Sequence, residues 1–353
     1  MAAANATGNV TLGGVSPYAN TTSPLAAVQN HTLGVGFSGS GFLILYFTGV
    51  TAILQSLGII NNSTRLAGSS GGAITAAAIC SNVPASSQQL AANFNIAATC
   101  RPSFACRGYL DKVVRNYTTE LFPASVTEQC NRRLYVTVTE ARPNNLTDPP
   151  QVVGNISSKG MLLDAVAASA YLPFWSGRSA VTTIDGLPAV YDGGFSYPLP
   201  CPPGVTYCVK VTANAGVAPS NSIGPRPRLA GDNTLQLLMT ARNASDSSSA
   251  RFLPLNPAAL PAPANPDIYP GLSGPLNVSA AVWNSYGLVI PDNDTLLSIY
   301  NQGRKDAAAW VLQHGLAQPA AVQQALQSTE GPLVPGAKAA VAGASVGRRS
   351  SVL

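Results

Sequence analysis

Charged residues are scarce in this sequence. Lys, Arg, Asp and Glu together make up 10% of the 353 residues, whereas hydrophobic residues make up 46%. This composition supplies material for a large core and excludes a chain that is disordered throughout. The net charge of +5 is spread thinly, and no basic run is longer than Arg348-Arg349. Because nucleic-acid binders carry clustered basic residues, we expect no nucleic-acid partner.

The cysteines also lack the spacing that metal ligands have. The six cysteines form an even set, and none of them has the separation typical of a zinc site. The pairs Cys100/Cys106 and Cys201/Cys208 are close enough in sequence to close small loops. We therefore expect no metal site.

No signal peptide is predicted in residues 1–30, because no basic segment is followed there by an apolar one. Asn-x-Ser/Thr sequons are nevertheless frequent, which favours passage through the secretory pathway. A composition rich in Ala, Ser, Thr and Asn also generates such triplets by chance, so both interpretations stay open. The twelve sequon asparagines are Asn5, Asn9, Asn20, Asn30, Asn61, Asn62, Asn116, Asn145, Asn155, Asn243, Asn277 and Asn293.

The pattern of apolar residues predicts strands that alternate with helices. Strands are predicted at 33–38, 64–67, 133–139 and 190–191, and helices at 42–60, 73–80 and 296–312. Strands separated by helices indicate an α/β fold with a mostly parallel sheet that is covered on both faces. The alternative for 42–60 is a transmembrane helix, since about 20 apolar residues span a bilayer. Four polar residues interrupt this run, which favours a buried helix.

We expect one folded domain over residues 33–318. Residues 1–32 show no sustained period and indicate a flexible leader. Residues 215–290 are dense in Pro, Ser, Asn and Gly, which indicates a loop-rich insertion. Residues 319–353 are predicted to form a disordered tail.

The segment Gly68-Ser69-Ser70-Gly71-Gly72 fits the pattern G-x-S-x-G between a predicted strand and a predicted helix. In that context a strained turn lifts the middle serine above the sheet edge, where it can act as a nucleophile. The glycines Gly68 and Gly72 let the backbone approach closely. Alone, the pentapeptide is also compatible with a flexible turn.

A serine nucleophile needs a base, and histidine is nearly absent. The chain has only His31 and His314, and only His314 follows in the order Ser, acid, His. A lone histidine at a helix end is more often a capping residue. Asp192 is the stronger candidate, because it ends an apolar segment just before Gly193 and Gly194. Burial there would raise its pKa and its strength as a proton acceptor, although an ordinary Asp-Gly turn is the alternative.

A second glycine-rich turn follows the first predicted strand. In Gly36-Phe-Ser-Gly39-Ser40-Gly41 the backbone N–H groups can stabilise an oxyanion, an effect of about 3–4 kcal/mol per donor. A nucleotide-phosphate loop is the alternative. It is disfavoured because no Gly-Lys-Ser/Thr follows and no acidic residue stands about 20 positions later.

The three turns occur in an order that resembles the patatin-like phospholipase family, in the style of its adipose triglyceride lipase branch. The loop at 36–43, the elbow at 68–72 and Asp192-Gly193-Gly194 look like the family's three motifs. Between them, Ala168-Ser169-Ala170 is similar to its Ala-Ser-x-Ala-x-Pro segment. The stretch from Ile299 to Ala307 resembles its closing helix. At Pro198 the chain departs from the family, which places Asn-x-Pro after the Asp-Gly-Gly motif.

The resemblance implies a three-layer α/β/α fold and a lipid acyl hydrolase of the phospholipase A, galactolipase or triacylglycerol lipase type. It makes Ser70 the nucleophile, Asp192 the base, and Gly39, Ser40 and Gly41 the oxyanion donors. It implies no cofactor, and a lipid substrate at a membrane or lipid-droplet surface. The location stays open between the secretory pathway or a membrane and the cytoplasm or a lipid droplet.

Two alternatives remain. One is a catalytically silent lipid-binding protein on the same fold, which the departure at Pro198 makes conceivable. The other is a secreted, glycosylated surface protein whose glycine motifs are only turns.

Overall fold

The computed structural model describes residues 20–102, 106–142, 148–216 and 265–329. Within these ranges the strands are β1 (Leu33–Phe37), β2 (Arg65–Ser69), β3 (Leu134–Glu140), β4 (Pro150–Val153), β5 (Val190–Asp192) and β6 (Tyr207–Val211). The α-helices are α1 (Pro24–Gln29), α2 (Ile44–Ser56), α3 (Gly71–Cys80), α4 (Leu90–Cys100), α5 (Leu110–Leu121), α6 (Val126–Cys130), α7 (Lys159–Ser169), α8 (Ala280–Ser285), α9 (Asn293–Gln313) and α10 (Pro319–Ser328).

The strands form one sheet in the order β4-β3-β2-β1-β6, with β5 also paired to β3. The pairs β1/β2, β1/β6 and β2/β3 are parallel, whereas β4 and β5 run antiparallel to β3. Helices cover both faces, so the predicted three-layer α/β/α fold with a mostly parallel sheet is confirmed. The carboxyl ends of β1, β2 and β6 lie at one edge of the sheet, here called the carboxyl edge. The opposite edge is called the amino edge.

The central elements are apolar on all sides because they are buried on all sides. Every residue of β1 is buried, and so is every residue of α3. The small side chains of α3 let it lie close to the middle of the sheet, where it contacts β1, β2 and β3. The helix predicted at 42–60 is observed as α2, preceded by one turn of 3-10 helix at Gly41–Leu43. In the part of the chain that the structure describes, no helix combines the length and the hydropathy needed to cross a bilayer.

Two segments that were expected to be unstructured contain helices. In the expected leader, Ser23 caps α1 by accepting from the N–H of Ala26, and Pro24 begins the helix. In the expected tail, α10 buries Val322 and Ala325. Both helices are short, so their apolar periodicity is weak, and tertiary contact stabilises them. Residues 1–19 and 330–353, and residues 217–264 of the expected insertion, lie outside the described residues.

All six cysteines are joined in disulfides. Cys100–Cys106 and Cys201–Cys208 close the two small loops that their spacing suggested. The third bond, Cys80–Cys130, links the end of α3 to the end of α6.

Helices α2 and α9 cross with their backbones in direct contact. A Cβ atom at Gly49 would overlap the carbonyl oxygen of Tyr300, and one at Gly303 would overlap that of Tyr46. Beside the crossing, the Tyr46 hydroxyl donates to buried Asp306 at 3.0 Å. The close approach therefore depends on glycine in both helices.

We expect Gly49→Ala to destabilise the protein by roughly 1–3 kcal/mol or more, because the backbone of α9 would have to move away. Gly160→Ala is the matched control. Gly160 lies in the first turn of α7, where the nearest atom to an added Cβ is Ser158 Oγ at 3.8 Å. This change should be neutral or slightly stabilising. Urea unfolding measures both variants, and equal midpoints would contradict the tight crossing.

Candidate active site

Ser70 occupies a strained turn between β2 and α3. Its backbone has φ 55° and ψ −127°, a region that residues other than glycine rarely adopt. Strand β2 ends one residue before it and α3 begins one residue after it. The close approach of this turn to β1 requires glycine at position 72, because a Cβ atom there would overlap the carbonyl oxygens of Phe37 and Ser38. This strand–turn–helix geometry is the one expected of a nucleophile elbow, and Ser70 lies at the carboxyl edge.

Asp192 approaches the elbow along the same side of β3. Ser69, the last residue of β2, pairs with Thr137, and Asp192, the last residue of β5, pairs with Val138. Strand β4 pairs with β3 at both of these positions, so it occupies the other side. Strands β2 and β5 therefore point at each other end to end beside β3. Adjacent positions in a strand are about 3.3 Å apart, which brings Ser70 and Asp192 together.

The carboxyl group of Asp192 is buried, with 2% of the residue exposed. Its Oδ1 accepts from the N–H of Gly194 at 2.8 Å. Its Oδ2 has no hydrogen-bond partner of ordinary geometry among the described residues. Burial raises the pKa of Asp192 from 3.8 to about 7, and the nearby Ser70 hydroxyl and the Gly194 amide offset part of that rise. Oδ2 is therefore available to accept a proton near neutral pH.

The glycine-rich loop after β1 lies against the elbow. A Cβ atom at Gly39 would lie 3.5 Å from Cβ of Ser70, and one at Gly71 would overlap Oγ of Ser40. Gly41 has φ 52°, and a Cβ there would overlap the carbonyl oxygen of Gly287. Among described residues, none accepts a hydrogen bond from the N–H groups of Gly39, Ser40 or Gly41. The three predicted donors thus lie beside Ser70 with their N–H groups unpaired within this part of the chain.

A buried serine, Ser169, connects the elbow to the sheet. The Ser70 N–H donates to Oγ of Ser169 at 2.9 Å, and that hydroxyl donates to the carbonyl oxygen of Thr137 at 2.6 Å. Ser169 ends α7 and is fully buried. Nothing in the sequence gives it a role beyond its place in the Ala-Ser-Ala segment. The only available signal is a polar residue at the end of an otherwise apolar stretch.

Neither histidine belongs to this cluster. His31 lies in the turn before β1, which is at the amino edge. His314 follows the last residue of α9 and packs against Trp310, with ring centroids 5.1 Å apart. Neither is hydrogen-bonded to Ser70 or Asp192. Across the described ranges, no group of three or more His, Cys, Asp or Glu side chains is arranged to hold a metal ion.

A strand–serine–helix turn with G-x-S-x-G spacing, on a three-layer α/β/α fold, is the architecture of proteins with a nucleophile elbow. The sequence profile of the family described as Patatin-like phospholipase matches residues 36–204. This span includes the glycine-rich loop, the elbow and the Asp192 turn. Over this segment, just under half of the chain, the sequence matches the patatin-like phospholipase family.

Several curated proteins are similar to this chain. Human Patatin-like phospholipase domain-containing protein 2 is 28% identical over 183 residues, which are 49% of this chain and 34% of that protein. The mouse protein of the same name is 29% identical over 177 residues, 47% of this chain and 34% of that protein. Human omega-hydroxyceramide transacylase is 28% identical over 176 residues, 47% of this chain and 31% of that protein. The chain thus spans about a third of the length of these relatives.

Among solved structures, VipD from Legionella pneumophila is 13% identical and gives a TM-score of 0.39. The superposition covers 80% of this chain and 67% of that one, and a score this low adds nothing to the assignment.

We expect Ser169→Ala to lower the kcat of ester hydrolysis roughly 5- to 100-fold with little change in KM. The change leaves the Ser70 N–H and the Thr137 carbonyl unpaired, and a buried unpaired group costs about 1–3 kcal/mol. Ser169→Thr keeps a hydroxyl and should recover most of the rate.

The matched control for Ser169→Ala is Ser158→Ala at the other end of α7. Ser158 caps this helix by accepting from the N–H of Met161 at 3.1 Å. Its loss should cost about 1 kcal/mol of stability without lowering kcat. Equal kcat losses in Ser169→Ala and Ser158→Ala would show that Ser169 has only a structural role.

Proposed function

We propose that the protein is a lipid acyl hydrolase that uses Ser70 as nucleophile and Asp192 as general base. The observation that supports this proposal best is the end-to-end approach of β2 and β5 beside β3. It puts a strained serine next to a buried carboxyl group with one unpaired oxygen. The match of residues 36–204 to the Patatin-like phospholipase profile supports the same chemistry.

The reaction proceeds in two acyl-transfer steps. Asp192 Oδ2 accepts the Ser70 proton while Oγ attacks the ester carbonyl, and the protonated carboxyl then donates to the leaving alcohol. A water molecule next attacks the acyl-serine and gives one proton to Asp192. Asp192 passes that proton to Ser70 Oγ as the acyl–Oγ bond breaks, which releases the fatty acid and restores the free serine and carboxylate. A pKa of about 7 suits both directions of proton transfer near neutral pH.

The negative charge that develops on the carbonyl oxygen is stabilised by backbone donors. Gly39, Ser40 and Gly41 supply N–H groups, and each such donor is worth about 3–4 kcal/mol in the transition state. The first turn of α3 also presents its N–H groups toward the elbow, where a helix dipole favours negative charge.

The surroundings of the glycine-rich loop favour a lipid substrate. The Phe42 N–H donates to the carbonyl oxygen of Gly287 at 3.0 Å, so the segment after α8 lies beside this loop. In and around α8, Val278, Val282 and Val289 are exposed. Exposed apolar side chains next to a reacting serine suit acyl chains presented at a membrane or lipid-droplet surface.

A second candidate function differs in the acyl acceptor. One relative is named omega-hydroxyceramide transacylase, so the acyl group of an acyl-serine could pass to a lipid hydroxyl instead of water. Adding a long-chain alcohol to the assay distinguishes the two. Hydrolysis gives free fatty acid alone, whereas transacylation gives a new ester at the expense of fatty acid.

We expect Ser70→Ala to abolish both p-nitrophenyl ester hydrolysis and covalent labelling by a fluorophosphonate. Asp192→Asn should lower hydrolysis by about 10²- to 10⁴-fold, the usual contribution of a general base. His314→Ala should retain the wild-type rate. The adjacent Ser69→Ala is the matched control for labelling, because it changes the same turn and keeps Ser70. Full activity of Ser70→Ala would disprove the mechanism, and absence of labelling in the wild type would indicate a silent lipid-binding protein.

The pH profile tests the base separately. Because Asp192 acts as the carboxylate, we expect kcat/KM to rise with pH through an apparent pKa of about 7. The residual kcat/KM of Asp192→Asn should not show this rise with pH. A wild-type profile that is flat from pH 5 to pH 8 would contradict the assignment.

Thermal unfolding of Asp192→Asn provides the control for folding. The folded protein holds the Asp192 proton up to about pH 7, whereas the unfolded chain releases it near pH 3.8. The contribution of this group to the free energy of unfolding therefore falls as pH rises between these values. Asparagine does not titrate, so Asp192→Asn does not suffer this loss of stability at high pH. The difference between the Tm of Asp192→Asn and the wild-type Tm should therefore be more positive at pH 8 than at pH 4.

A further inference from the structure

The sequon asparagines share a property that the other asparagines do not. Eight of the twelve sequons lie within the described residues, and all eight asparagines are exposed: Asn20, Asn30, Asn61, Asn62, Asn116, Asn155, Asn277 and Asn293. The eight other described asparagines divide evenly. Four are exposed (Asn82, Asn95, Asn131 and Asn265), and four are buried or half-buried (Asn93, Asn214, Asn284 and Asn301). Among the described residues, consistent exposure is therefore a property of the sequon asparagines and not of asparagine in general.

Five of the eight lie at the amino edge, beginning with two near β1 and β6. Asn20 accepts from the N–H of Cys208 at 2.9 Å, and Cys208 is the second residue of β6. Asn30 follows α1 and stands three positions before Leu33, where β1 begins.

The other three stand beside β2 and β4. Asn61 and Asn62 precede β2, which begins at Arg65. Asn155 follows β4, whose last residue Val153 pairs with Val136 near the start of β3. All five asparagines are thus within a few residues of the same edge of the sheet.

Ser70 and Asp192 lie at the opposite edge of the sheet, the carboxyl edge. Ser70 follows the carboxyl end of β2, whereas the five asparagines surround the amino ends of the parallel strands. Strands of five to seven residues separate the two edges by roughly 17–23 Å. Bulky groups on the amino edge would leave the carboxyl edge open.

An independent observation concerns the redox environment. All six cysteines are paired, and no free cysteine remains. Disulfides persist in oxidising compartments, of which the secretory pathway is one, and the cytosol keeps thiols reduced. The secretory pathway is also where asparagine glycosylation occurs.

We propose that the amino edge, on the side of the sheet away from Ser70, carries N-linked glycans. The acceptors are Asn20, Asn30, Asn155 and one of the adjacent pair Asn61 and Asn62, where two glycans would collide. In each transfer the asparagine Nδ2 loses one proton and bonds to the first sugar carbon of a lipid-linked oligosaccharide. The bond from that carbon to the donor's diphosphate breaks. Oδ1 is unchanged, so Asn20 keeps its bond to Cys208.

Mass spectrometry of the full-length protein from its own cells tests this proposal. Peptide-N-glycosidase treatment in H₂¹⁸O removes each glycan and converts its asparagine to ¹⁸O-labelled aspartate. We expect the label at the four amino-edge sites, and a fall of the intact mass toward that of the polypeptide. Asn82 and Asn131, exposed but outside sequons, should stay unlabelled. An intact mass that the treatment does not change would overturn the proposal, and so would label that avoids the amino edge.

Matched variants keep the test independent of the enzyme's activity. Asn30→Gln and Asn155→Gln, expressed in the same cells, should each lose the mass of one glycan, whereas Asn82→Gln should lose none. All three should hydrolyse p-nitrophenyl esters at the wild-type rate, because none of them is near Ser70. If the masses of Asn30→Gln and Asn155→Gln match wild type, those sites are unoccupied and the proposal fails. This outcome does not depend on whether the protein is a hydrolase.

Discussion

The candidate site depends on the way β3 shares one of its sides between two strands. Strand β2 pairs with the first half of that side and ends at the elbow, and β5 pairs with the second half from the opposite direction. Thr137 and Thr139 reinforce the two halves. Thr137 donates to the carbonyl oxygen of Gly68 and Thr139 to that of Asp192, both at 2.8 Å. A hydroxyl and a carboxyl that are 122 positions apart thus meet because both strands follow one backbone template.

The same arrangement holds groups in states that the isolated chain would avoid. Ser70 has a backbone conformation that costs about 1–3 kcal/mol, and Asp192 is buried with one oxygen unpaired. The surrounding structure imposes both states through Ser169, which binds the Ser70 N–H, and through the Gly194 amide, which binds Asp192. Stability is lowered locally where the chemistry is proposed to occur, and the buried sheet and helices around it compensate.

The features that could be predicted from the sequence are those that depend on residues close together in the chain. The strand–serine–helix turn is visible because glycines and a flanking strand and helix are contiguous in the chain, and the alternation of elements indicates the layered fold. The position of β5 was not predictable, since three residues give no pairing signal and an antiparallel strand is unexpected in a mostly parallel sheet. The role of Ser169 was hidden for a similar reason, because it depends on contacts with Ser70 and Thr137, which are distant in sequence. The helices α1 and α10 were missed because short helices depend on tertiary packing.

The contact between the glycine-rich loop and Gly287 bears on where this protein can be divided. Phe42 donates to a carbonyl oxygen that lies more than 80 residues beyond position 204, where the match to the family profile ends. Strand β6, which borders β1, and α9, which packs against α2, also lie past that point. A fragment trimmed to the matched span would lack the first three residues of β1, its partner β6 and the Gly287 contact of the glycine-rich loop. The part of this chain that folds as a unit is therefore larger than residues 36–204, the span that matches the family profile.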